Sequence, residues 1–61
     1  MPMIHVEMFT GRTAEQKREY VEVVTRETCR ILNCKPEDVN IILDEIPRDR
    51  WAFAGKLCSE S

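Results

Sequence analysis

The sequence predicts an α/β (α+β) fold: a small β-α-β protomer with parallel strands, a crossover helix and a short C-terminal hairpin or arm. Three observations carry this. Residues 3–9 alternate along the chain, residues 14–32 repeat at helical spacing behind a capping pair, and residues 39–46 hold a near-continuous apolar run.

In the first segment, MIHVEMF, Ile4, Val6 and Met8 line one face, and Met3, His5, Glu7 and Phe9 line the other. The mixed second face predicts partial cover on that side too. Thr10-Gly11-Arg12 reads as a turn. Thr13 and Gln16 then match a capping box, in which hydroxyl and amide satisfy orphan backbone donors reciprocally. From Ala14 to Leu32 the period is helical: Ala14, Tyr20, Val21, Val24, Thr28, Ile31 and Leu32 share a stripe about 120° wide. Glu15, Glu19, Glu22, Arg26 and Arg30 fall opposite, as a solvated face. Asn33 tolerates the left-handed conformation that ends helices, and Pro36 opposes an early restart.

The second strand spans Val39–Ile46, and its centre, Ile41-Ile42-Leu43, predicts cover on both faces. Two strands joined by a long helix pair in parallel through a right-handed crossover. The tail from Pro47 to Lys56 reads as a hairpin or arm carrying two exposed aromatics, Trp51 and Phe53. One helix covers only one sheet face, and two strands alone are marginal in water. Other copies of the chain are therefore expected to cover the remainder.

The size agrees. Sixty-one residues allow one domain, 1–61, and chains this short lean on disulfides, metals or partners. Cys29, Cys34 and Cys58 are odd in number and follow no secretory signal, which predicts free thiols. A zinc site from them and His5 would lack any CxxC spacing, so no metal is expected. A net charge of −2 gives no footprint for nucleic acid, and no apolar run approaches membrane-spanning length, so the expected location is cytoplasmic.

No nucleophile triad or glycine-rich phosphate loop is present. Asp44 and Glu45 are adjacent in a strand and point to opposite faces. What remains is Pro2, with arginines at 12, 48 and 50 and aromatics at 51 and 53. Removal of Met1 would expose a prolyl secondary amine. An unperturbed α-amino group titrates at about 7.7–8.0, and apolar surroundings and nearby guanidinium groups both favour the neutral base. Such a base suits proton abstraction α to a carbonyl, while arginines bind carboxylate or stabilise developing negative charge.

From Pro2 to about Leu57 the chain resembles the 4-oxalocrotonate tautomerase family, on the stretches PMIHV, GRTAEQK and DEIPRDRWAFAG in that order and spacing. The resemblance implies a protomer that dimerises through a shared four-stranded sheet, with dimers forming a homohexamer (a trimer of dimers). It also implies a cofactor-independent keto–enol isomerase acting on a small-molecule carboxylate. By this likeness Pro2 is the general base, and Arg12 holds the substrate carboxylate. Trp51 stands where the family usually has Phe, as an apolar wall. Asn40 departs from the pattern: the best-known members carry there a second arginine that reaches the substrate of a neighbouring subunit. Asn supplies hydrogen bonds but no bidentate cation, so Arg48 or Arg50 becomes the candidate replacement. A monoacid or an aryl enolpyruvate then fits better than a dicarboxylate dienol. Two alternatives stand beside this. One is hydration or dehalogenation of a short unsaturated acid, with Glu7 or Asp44 activating water. The other is a non-catalytic oligomer that retains Met1.

Overall fold

A computed structural model describes residues 2–60, so the removal of Met1 lies outside the described residues. Strand β1 (Met3–Phe9) and strand β2 (Asn40–Ile46) form a two-stranded parallel sheet, with Met3 opposite Asn40 and Phe9 opposite Ile46. Helix α1 (Ala14–Leu32) connects them. The parallel pairing, the helix and its bounds follow the sequence expectation.

Local chemistry explains these limits. The Thr13 hydroxyl accepts from the Gln16 amide, and the Gln16 side chain accepts from the Thr13 amide, each at 3.0 Å, so the capping box is closed. Asn33 ends the helix at φ 56°, ψ 54° in the left-handed region. Gly11, at φ 120°, makes the turn between β1 and α1 in a conformation that side chains disfavour.

Several expectations need correction. A 3₁₀ turn at Pro36–Asp38 forms with three residues between it and the helix, because proline is tolerated at the first position of a helical turn. Val39 closes that turn, so β2 begins one residue later, at Asn40. On α1, Lys17 and Thr25 are half-buried, whereas Tyr20, Ile31 and Leu32 of the expected stripe are exposed. A 120° apolar stripe is wider than two strands can cover. Ile42 is 48% exposed, so the outer sheet face is uncovered within the single chain, which agrees with the expectation that one helix covers only one face.

The C-terminal segment forms a 3₁₀ turn, Arg48–Arg50, and an antiparallel hairpin of β3 (Ala52–Phe53) and β4 (Lys56–Leu57). Ala54 at φ 54° and Gly55 at φ 79° are its two central residues, the positive-φ pair of a type I′ turn. Phe53 is exposed, as expected of the arm, but Trp51 is half-buried.

No described residue is fully buried. The radius of gyration is 14.6 Å, against about 10.5 Å for a compact chain of this length. The accessible surface is 4926 Å², against about 4,100 Å² for a monomer of this mass. The single chain is a slab of 43 × 24 × 14 Å with much of its apolar surface uncovered. Among the described residues, no helix is long and apolar enough to cross a membrane.

Candidate active site

The parallel register distributes the chemistry between two poles of the sheet. At the pole where both strands begin, Pro2 is half-buried, and its carbonyl accepts from the Asn40 amide at 3.0 Å. That bond extends the ladder one step beyond Met3, so the main chain that follows Pro2 is set by β2. The Asn40 residue is exposed, which leaves its side chain able to meet a ligand.

At the opposite pole, the Thr10 amide donates to the Ile46 carbonyl at 3.2 Å and closes the ladder. Here the Phe9 and Trp51 rings lie 4.4 Å apart, centroid to centroid, at 46°. The Arg48 guanidinium covers Phe9 at 4.0 Å from the ring centre. Phe9 sits on the outer face, so Arg48 and Trp51 close over the end of that face. Arg12 follows Gly11 and lines a cleft of about 360 Å³ with Val6, Met8, Gln16, Lys17 and Tyr20, between α1 and the inner face. Lys17 bridges that gap to Glu45 at 2.9 Å.

Of the four residues singled out in the sequence, two pairs emerge. Pro2 and Asn40 adjoin, and Arg12 and Trp51 both follow the far end of the strands. The seven residues of β1 lie between the pairs, a span of roughly 20 Å at about 3.3 Å per residue. One protomer therefore does not bring Pro2 and Arg12 together. The sequence reading missed the cover that Arg48 and Trp51 give Phe9. Its only trace was an aromatic closing the outer face of β1, because the return of the 3₁₀ turn over the sheet has no periodic signature.

Mid-sheet on the outer face, His5 Nε2 lies 3.4 Å from Asp44 Oδ2, with a Glu7 carboxylate oxygen in the same exposed cluster. These three side chains bring possible metal-ligating atoms within 4.8 Å of one another, so His5 groups with carboxylates rather than cysteines. Glu7 and Asp44 are register partners four positions from the Met3–Asn40 pair, roughly 13 Å along the strands. Asp44 and Glu45 do face opposite ways: one meets His5, the other Lys17.

A family model described as tautomerase enzyme matches residues 2–61. A 2-hydroxymuconate tautomerase of Bacillus subtilis is 38% identical over 60 residues, covering 98% of this chain and 97% of that protein. Another, of Comamonas testosteroni, is 30% identical, with 98% and 95% covered. A solved 4-oxalocrotonate tautomerase homologue superposes with a TM-score of 0.94 at 39% identity, covering 100% of this chain and 97% of that one. A heterohexamer 4-oxalocrotonate tautomerase from Chloroflexus aurantiacus gives 0.89 at 25% identity, with 98% and 97% covered.

Proposed function

The chain belongs to the tautomerase family, isomerases that interconvert keto and enol forms, and from that premise we propose that Pro2 is its general base. With Met1 removed, the Pro2 nitrogen takes a proton from the enol hydroxyl of a small 2-hydroxy unsaturated acid, or from the carbon α to the carbonyl of its 2-oxo form. It returns that proton at a different position of the conjugated system, a carbon when the enol becomes the ketone. Proton transfer by such a positioned base contributes typically ~10²–10⁴-fold. No cofactor is required, because the substrate's own carbonyl holds the electron pair.

The observation that carries this reading is the anchoring of Pro2 by Asn40, which aims a half-buried residue at the entry of β1. Arg12 supplies the cation for the substrate carboxylate, and Trp51 an apolar wall. Because both follow the far end of β1, a site using them with Pro2 draws them from a neighbouring protomer. The open sheet edges and the uncovered Ile42, Ile31 and Leu32 support such assembly: a dimer sharing a four-stranded sheet, and a homohexamer built from dimers. Asn40 reaches the substrate as a neutral hydrogen-bonding group, which favours one carboxylate over two.

The test combines intact mass with an ultraviolet assay of enol-to-keto conversion. The mass lacks Met1, and Pro2→Ala abolishes most activity while sedimentation shows the same oligomer. Retention of Met1 in active protein, or an equal rate in Pro2→Ala, defeats the proline-base mechanism.

A further inference from the structure

Cys29 and Cys34 flank the end of α1, and the way the helix stops sets them side by side. Asn33 is left-handed, and the amides of Asn33 and Cys34 both donate to the Cys29 carbonyl, the latter at 3.2 Å. A bond from the second residue past the helix to the carbonyl five residues earlier is the Schellman closure. A side-chain contact between those two positions commonly accompanies it. Both positions hold cysteine.

That bond also limits the distance between the main chains. An N···O separation of 3.2 Å, added to standard backbone lengths, keeps the two Cα atoms within about 7 Å, the reach of a disulfide. The side chains agree: Cys34 Sγ lies 4.0 Å from the Thr28 carbonyl, beside Cys29, and the Cys34 sulfur, after desolvation, is among the causes that hold the Cys29 thiol above its ordinary value. Cys29 also lines an open cleft with Val21, Thr25 and Pro36, so a small oxidant has access.

We infer that Cys29 and Cys34 form a redox-active dithiol, which a peroxide converts to an intrachain disulfide across the helix end. The Cys34 thiolate attacks one oxygen of hydrogen peroxide. The O–O bond breaks, giving a Cys34 sulfenic acid and a hydroxide ion that is protonated to water. The Cys29 sulfur then attacks the Cys34 sulfur, the S–O bond breaks, and a second water leaves as Cys29 gives up its proton. Two thiols lose two electrons, and one peroxide is reduced to two waters. Cys29 suits the second step. Desolvation, the Cys34 sulfur and the carboxylates of Asp38 and Glu37 hold its thiol above the ordinary value, so it stays protonated until the adjacent sulfur is electrophilic.

The consequence is structural. The new bond staples α1 to the segment of residues 34–40, which ends at the amide that anchors Pro2.

The test treats reduced full-length protein with stoichiometric hydrogen peroxide, then digests it with trypsin without reductant. The intact mass falls by about 2 Da. Cleavage after Arg26, Arg30 and Arg48 leaves peptide 27–30 joined to peptide 31–48, because the Lys35–Pro36 bond resists trypsin. Cys58→Ser retains the joined pair. Cys29→Ser loses it and yields a Cys34 sulfenic acid trapped by dimedone, and Cys34→Ser loses it as a second check. Oxidation that stops at sulfinic acids, that joins different protomers, or that engages Cys58 in place of Cys34 overturns the assignment.

Discussion

The Asn40 amide donates to the Pro2 carbonyl at 3.0 Å, so the first residue of one strand anchors the residue that precedes the other. The bond uses main chain only, which leaves the Asn40 side chain open to substitution without loss of the anchor. Asn40→Arg therefore keeps the fold and adds a guanidinium beside Pro2. A charge-assisted hydrogen bond contributes about 1.5–3 kcal/mol, so kcat/KM toward a dicarboxylate dienol is expected to rise about tenfold or more, and toward a monoacid much less. Equal responses to both substrates would remove Asn40 from the binding site.

The contact between Phe9 and Trp51 yields a spectroscopic prediction, since Trp51 is the chain's sole tryptophan. Phe9→Ala removes the platform for both Trp51 and Arg48. The Trp51 emission is expected to shift to the red, and stability to fall by roughly 1–2 kcal/mol, from lost ring–ring and cation–π contacts. An unchanged emission maximum would place Trp51 elsewhere in solution.

Ala54 occupies a position that favours asparagine or glycine, with φ 54° in the hairpin turn. A non-glycine residue in the left-handed region costs roughly 1–2 kcal/mol, and Asn-Gly is the preferred pair for this turn. Ala54→Asn is expected to raise the denaturant midpoint without changing the slope, by about 0.5–1 kcal/mol. A lower midpoint would show that the turn is not of this type in solution.

Cys29 predicts a pH dependence. Its folded thiol is held above the ordinary value of 9.0, chiefly by desolvation and by Cys34. As pH rises past that value, the unfolded chain loses the proton first and the folded chain retains it, so this contribution to stability is full below and declines above. Cys29→Ala should lose less stability than the wild type between neutral pH and the alkaline limb in urea titrations. Parallel curves for the two proteins would contradict it.

Much of the fold could be read before the structure. The alternation in residues 3–9, the capping box at Thr13 and Gln16, and the helix stop at Asn33 are governed by interactions within a few residues, so they leave local signatures. Trp51 had none: its cover of Phe9 depends on a 3₁₀ turn folding back over a strand that ended forty residues earlier. Tyr20, Ile31 and Leu32 misled for the opposite reason. Their helical spacing is genuine, but the surface they match is not supplied by their own protomer.

By itself the sequence determined the β-α-β order, the bounds of helix α1 and the candidacy of Pro2, because periodicity, caps and a proline behind methionine are properties of the chain. Only the tertiary structure decided which of these residues meet. Parallel strands in register carry Pro2 and Asn40 to one pole, and leave Arg12 and Trp51 beyond the other. The physical reason is the strand itself: a rigid, extended span keeps its ends apart, and chemistry that needs both ends must find the second in another copy.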